Sequence, residues 1–260
     1  MSISSHSKFY FGHTVTVSNN SIDFNEGFGE KKATLNIGEY TPTEYASEIA
    51  RAMNAVAGIT LTYSCTFNRS TRKLTLSADG TFSILIASGS RIGTGAYTLM
   101  GFGTVDLSGS SSYIGGSVSG SEYITQFVVQ DYTPSTNYKN ATDATVNKAA
   151  SGRIEVFKFG DESFIQMNFK FITDIAQPTG SIIRNDASGV SKLITFLDYL
   201  ITKAPIEFMP DENNVSIFQK VILESISDNE KGVGYKLKEL YHKGLPNYYE
   251  TGIMKFRVQI

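Results

Sequence analysis

The chain has no tryptophan, one cysteine, three histidines and six prolines, and its charges nearly cancel, with 23 Lys and Arg against 25 Asp and Glu. Each scarcity excludes something. A lone Cys65 cannot build a disulfide framework, and His6, His13 and His242 are too scattered to suggest a soft-ligand metal site. A formal net charge of -2 argues against a dedicated nucleic-acid binder, which carries a basic excess. No stretch approaches the roughly 18 consecutive apolar residues of a membrane-spanning helix. The opening stretch MSISSHSKFYFG has no apolar h-region, so the expectation is no Sec-type export and assembly in a cytoplasm. A Gly-rich phosphate loop, a nucleophile elbow and a His-centred cluster are all missing as well. The expectation is a protein that is not an enzyme, with no catalytic, cofactor-binding or metal-binding residues and no cofactor.

What is present points to a folded, mainly β chain. The length of 260 residues fits one large domain or two small ones, and 41% hydrophobic against 18% charged residues leaves ample material for a core. Tyr (14) and Phe (17) suit half-buried pleated surfaces, and 23 glycines supply hairpin turns.

Residues 1–118 read as a small α+β domain. Thr14–Val17 and Ser21–Phe24 alternate around Asn19-Asn20 and predict a hairpin. Lys32–Tyr40 places Ala33, Leu35 and Ile37 on one face. Thr41-Pro42-Thr43-Glu44 is a helix start, with Thr41 as cap, Pro42 at the first position and Glu44 reaching back. The predicted helix, 42–57, carries Tyr45, Ile49, Met53 and Val56 along one stripe and stops at Gly58. Leu61–Phe67 and Lys73–Ser77 form a hairpin through Asn68–Thr71. Asp79-Gly80 predicts another turn before a strand Phe82–Ala87. Tyr97–Phe102 predicts a short helical turn packing Leu99, Met100 and Phe102.

Residues 103–121 are Gly- and Ser-rich and almost uncharged, which reads as a flexible linker or as a loop that orders against a partner subunit. The second unit, 119–260, reads as a partly open β-barrel or sandwich with one long helix, 189–203. Its strands are Tyr123–Val129, Arg153–Phe159 and Ser163–Ile172 as a hairpin about Gly160–Glu162, Ile206–Met209, Ile217–Ile226 and Met254–Ile260. In Ser163–Ile172 the buried face is Ile165, Met167, Phe169 and Phe171. Asp131–Asn147 and 173–189 read as polar loops. The helix, with Val190, Leu193, Ile194, Leu197, Leu200 and Ile201 plus Phe196 and Tyr199, is apolar enough to be buried on more than one side. Lys203 favours its C-terminus and Ala204-Pro205 ends it.

The remaining candidates for chemistry each have a plain alternative. Asp161-Glu162 reads as a charged hairpin tip, Asp211–Asn214 as an acidic turn without the spacing of a calcium loop, and Gly93–Gly95 and Gly232–Gly234 as turns. Lys231–Lys243 interleaves basic residues with Tyr235 and Tyr241, but Glu230 and Glu239 dilute it. Tyr248-Tyr249 reads as an interface anchor.

Two stretches resemble structural proteins of tailed-bacteriophage virions. NIGEYTPTEYASEIARAMNAV, RKLTLSADGTFSILI and the closing Met100-Gly101-Phe102 are similar to a small domain recurrent in phage and large-virus particles. Ala204–Asp211 is similar to the stretch after the helix in distal-tail and tail-tip proteins. The resemblance implies a non-enzymatic virion component, a distal-tail or baseplate ring between tail tube and tail tip. It implies copies of itself as partners, a hexamer by tail symmetry, with no membrane and DNA only as passing cargo. Two other classes stay open beside a head-neck or decoration protein. One is a host-glycan-binding module; the other is a cell-wall hydrolase using Asp161, Glu162 or Glu207.

Overall fold

A computed structural model describes residues 7–124, 129–132, 141–148, 154–170, 172–174, 189–226, 234–240 and 247–259, with the backbone alone in 124–162. The first elements are β1 (Lys8–Tyr10), β2 (His13–Val15), β3 (Ser21–Asn25), β4 (Glu30–Thr34), β5 (Gly38–Tyr40) and α1 (Pro42–Asn54). They are followed by β6 (Tyr63–Asn68), β7 (Lys73–Ile84), β8 (Leu107–Ile114), β9 (Glu122–Ile124), β10 (Val129–Tyr132), β11 (Ala141–Lys148) and β12 (Ile154–Glu162). Then come β13 (Phe164–Lys170), α2 (Val190–Ile201), β14 (Ile206–Met209), β15 (Gln219–Ile226), β16 (Lys238–Glu239), β17 (Tyr249–Glu250) and β18 (Ile253–Gln259). The class is α+β, mainly β, with antiparallel pairing throughout the named strands.

Helix α1 starts where its sequence directs. The Glu44 N–H donates to Thr41 Oγ1 at 3.3 Å and the Thr41 N–H donates to Glu44 Oε2 at 3.0 Å, closing both halves of the capping box behind Pro42. Tyr45, Ile49 and Met53 are fully buried, and Val56 packs on the same core just beyond the helix, which ends at Asn54 and not at 57. Thr41→Ala leaves the Glu44 N–H without its acceptor and is expected to lower stability by about 1 kcal/mol. A shifted urea midpoint at constant slope is the measurement that checks it.

The helix covers a five-stranded sheet in which β4, β3, β7 and β6 lie side by side and β8 adds to β7. Phe24, Tyr63, Phe82 and Tyr113 form an edge-to-face chain through this core, with centroids 5.1, 5.2 and 5.0 Å apart. The 97–102 turn is formed, with Met100 fully buried and Phe102 beside it.

Several expected pairings are different. Residues 14–17 and 21–24 do not form a hairpin. Strand β2 pairs with β5, whereas β3 pairs with β4 and β7. The Asn19 side chain makes the expected turn by accepting from the Thr16 N–H, but that turn sends the chain from one sheet into another. Ala33 and Leu35 are buried, yet Ile37 is 61% exposed because the strand breaks between β4 and β5. Asp79-Gly80 is no turn: β7 runs straight through it and bulges against β8. Asp79 is engaged with Thr62, accepting its N–H at 2.9 Å.

The linker reading of 103–121 fails at β8, which pairs with β7, and at Gly115, where a Cβ would sit 3.2 Å from the Gly101 carbonyl oxygen. A Cβ on Gly101 (φ 78°) would sit 2.4 Å from the Ser117 carbonyl oxygen, and Ser119 is buried.

In the second unit, β12 continues through Gly160–Glu162 and pairs with β11, so the expected 153–172 hairpin is not made and 141–148 is strand, not loop. Strand β13 instead joins a seven-stranded sheet in the order β10, β13, β18, β15, β14, β1, β9. Residues 125–128, 133–140, 171 and 175–188 lie outside the described residues, and with them all but the ends of the expected 173–189 loop. Strand β1, from the start of the chain, belongs to this sheet and its core.

The sheet is curled. On a flat sheet β9 and β13 would be separated by five strand spacings, about 24 Å. Their inward rings, Tyr123 and Phe169, are 5.8 Å apart, and Tyr123 stacks at 4.4 Å on Phe196 of α2. The strands therefore wrap α2 as a partly open barrel, filled by Phe9, Phe196, Phe208 and Phe256. Helix α2 buries one face only: Leu193, Phe196, Leu197 and Leu200 point inward, while Ile194 is 38% exposed. Lys203 takes a left-handed backbone just past the helix and reaches the Leu223 and Glu224 carbonyls on β15, not the helix end.

Candidate assembly surfaces and the junction between the units

Glu207, in the middle of β14, is 1% exposed, since this central strand is buried on both faces. Its carboxylate meets the first unit. The Thr43 N–H in the first turn of α1 donates to Oε1 at 2.8 Å, and the Arg69 guanidinium contacts Oε2 at 3.0 Å. An acid at a helix N-terminus is favoured by the helix dipole and by the orphan first-turn N–H groups. Arg69 also donates to Thr43 Oγ1 and stacks 3.4 Å over the Phe218 ring. Beside it, Lys220 bonds Glu44 at 2.7 Å and Tyr10 donates to the Arg69 carbonyl. Burial, with the Glu122 and Glu207 charges adding to it, pushes the Tyr10 phenol up to about 12.

Two further contacts close the seam. The Gly12 N–H donates to Tyr199 Oη at 2.8 Å, and a Cβ at Gly12 would lie 2.6 Å from the Tyr40 carbonyl oxygen. His13 is 1% exposed and stacks on Tyr45 at 4.5 Å. Ser119 Oγ has one hydrogen, which goes to the Leu99 carbonyl at 2.9 Å. It therefore accepts from His13 Nε2 at 2.7 Å, which fixes the proton on Nε2 and leaves Nδ1 an unpaired acceptor. Protonation would put a buried N–H⁺ where nothing accepts it, and desolvation pushes the imidazole down to about 4.

The outward features differ in kind. The β3–β4 tip presents Phe28 at 82% exposure. Val17 and Ile37, 71% and 61% exposed, flank the β2–β5 pair. The border strands of the first sheet are unlike: β4 carries Glu30, Lys31 and Lys32, whereas β6 and β8 have no charge. The β8 edge is partly closed by its own side chains, because Ser110 Oγ accepts from the Ser112 N–H and donates to the Ser112 carbonyl.

The residues singled out in the sequence do not converge. His6, His242, Tyr241, Lys231 and Lys243 lie outside the described residues, as do the side chains of Asp161 and Glu162, whose backbones are in β12. Glu207 is held in the junction. Asp211 accepts from the Asn213 N–H to form a turn, and Glu212 pairs with Lys8 at 3.4 Å. Tyr235 is half-buried and donates to Asp198, on the exposed face of α2, at 2.7 Å. Tyr248 and Tyr249 are half-buried, with Tyr249 exchanging backbone bonds with Ile172. Gly93–Gly95 lies in and just after a short 3-10 turn. Burial pushes the Cys65 thiol up to about 12. Among the described residues no three His, Cys, Asp or Glu groups gather closely enough to hold a metal, and no helix is long and apolar enough to cross a membrane.

Sequence reading missed three residues. Arg69 lies in the predicted 68–71 turn and Arg91 in no predicted element, yet Arg69 reaches Glu207 and Arg91 clamps the fully buried Asp23 at 2.8 Å. Phe28 carries a signal, a bulky aromatic between two glycines, in the stretch 25–31 for which no element is predicted.

No family model matches the chain, and no curated protein does. Among solved structures, the crystal structure of the mavirus penton protein aligns over 98% of this chain and 85% of that one, at 7% identity and a TM-score of 0.27. That likeness is to a viral structural protein and not to a tail component, and at this level it carries no argument.

Proposed function

We propose that the chain is a non-enzymatic structural component of a virus particle, working by fitting against copies of itself and neighbouring particle proteins. The observation that carries the reading is a contrast between inside and outside. The candidate acid Glu207, the acid Asp23 and the imidazole of His13 are buried and bonded within the fold. A large aromatic is left in water on a rigid tip, as in a molecule whose remaining partner is another protein. The sequence resemblance supports the finer placement, a distal-tail or baseplate ring of six copies around a channel that DNA crosses only as cargo. Two different complementary faces on each copy are what a closed ring requires.

Native mass determination of the purified protein, together with localisation of the labelled chain in particles by electron cryo-microscopy, tests this. The expected result is a closed set of copies and density at the tail end. A stable monomer absent from particles overturns the reading. Density at the head vertices or neck removes the tail placement.

A further inference from the structure

The β3–β4 hairpin ends in Glu26-Gly27-Phe28-Gly29-Glu30. Gly27 and Gly29 both have left-handed backbones, with φ 95° and 96°, a conformation open to glycine and strained for other residues. The tip is tied down on either side. Glu26 accepts from the Thr60 N–H, the Thr60 hydroxyl and the Tyr63 phenol, and Glu30 accepts from the Ser90 N–H. Asn25 Oδ1 accepts from the Gly27 N–H. Phe28 is thus held out by a preorganised turn, so a partner meets an aromatic anchor whose backbone is already ordered.

The same chain carries a place for it. A cleft of about 410 Å³ opens between the units, lined by Tyr199, Thr202, Lys203, Ala204 and Pro205 together with Thr14 and Glu39; the Lys203 ammonium is engaged by the Leu223 and Glu224 carbonyls. It offers an aromatic ring and small apolar groups to a ring, and a carboxylate to a cation. A cation is present behind the tip, where Lys32 follows Glu30 on β4, 49% exposed and 3.9 Å from the Glu30 carboxylate.

The two features lie at opposite ends of α1. Its C-terminal end faces the tip, through Asn54 bonded to Tyr63 and Tyr63 to Glu26. Its N-terminal end follows β5 and meets Glu207 beside the cleft. The 13-residue helix separates them by about 20 Å, so a copy does not fill its own cleft.

We propose that Phe28 of one copy seats in the Tyr199–Pro205 cleft of a second copy of this chain, in a head-to-tail contact backed by Lys32 against Glu39. The contact rests on the assembly reading and names the two faces it requires. Being heterologous, it closes into a ring or extends as a filament according to its rotation.

The test uses the full chain with benzoylphenylalanine in place of Phe28, irradiated over a concentration series. Crosslinks are expected between copies and should map to residues 199–205, Thr14 or Glu39. Phe28→Ser, at an exposed position, should weaken self-association about ten-fold or more, the effect of losing one interface anchor. Thr14→Trp, which fills the cleft from an exposed strand position, should do the same. The charge swap K32E with E39K should associate better than either single change. No crosslink at any concentration, or unchanged association in F28S, overturns the proposal, as do crosslinks elsewhere on the copy or only to lipid vesicles. If the chain is in particles but Phe28 crosslinks to another particle protein, the self-contact fails and the structural reading stands. Crosslinking into the cleft by a chain absent from particles supports the contact and removes the particle role.

Discussion

As the pH falls from 6.5 to 4 the protein is expected to lose about 3 kcal/mol of folding stability, and His13→Gln should remove most of that loss. The sign follows from proton counts. An unfolded His13 takes up a proton near its ordinary pKa of 6.5, whereas the folded imidazole resists until about 4. Between those values the unfolded state binds more protons, so stability is complete above 6.5 and declines as the pH drops through the window. Desolvation is the cause; the faces packed on the ring are Tyr45 of α1, the Tyr40 backbone of β5, and Ser119 and Gly120, none of them charged at these pH values. The carboxylates act lower. For Glu26 and Glu44, burial alone would raise the pKa, but hydrogen bonds from Thr60 and Tyr63, and from Lys220 and Thr41, outweigh it and hold both acids below their usual range. Their contribution is present above that range and is lost only in stronger acid. Urea midpoints measured from pH 4 to 8 for both proteins decide the matter. Parallel slopes in wild type and H13Q would show that His13 is not the group responsible.

Removing Arg69 should be more damaging than removing an ordinary surface charge. Glu207 is 1% exposed, and without the guanidinium its charge is left buried with the Thr43 N–H as remaining donor. Arg69→Met is expected to lower stability by about 3–5 kcal/mol, the usual consequence of orphaning one member of a buried pair. The double variant Arg69→Met with Glu207→Gln should recover much of it, because glutamine still accepts from Thr43 and buries no charge. Calorimetry should also show the variant's single transition splitting, since Arg69 and Glu207 couple two cores built on separate sheets. A loss below 1 kcal/mol, within the range of exposed pairs, would mean that solvent reaches Glu207.

Legibility in the sequence followed the range of the interaction. The α1 cap joins Thr41 to Glu44, three residues apart, and was readable residue by residue. The 61–77 hairpin was readable because its two strands are joined by a short turn. The alternation of 163–172 disclosed which face of β13 is buried, with Ile165, Met167 and Phe169 inside. It did not disclose the strand's partners, and proximity to β12 suggested the wrong one. Gly- and Ser-rich composition likewise failed at 103–121, since small residues are selected both by freedom and by tight backbone approach.

By itself, then, the sequence determined the α+β class, the capped helix, the buried face of β13 and the curled second unit's helix, because each is written in spacings of two to four residues. The tertiary structure alone decided that β1 crosses to the far sheet, that Glu207 and Arg69 fasten the units, that His13 is dry and that Phe28 is not. Those outcomes depend on which distant segments meet in space. Burial and charge pairing across a hundred residues leave no period along the chain.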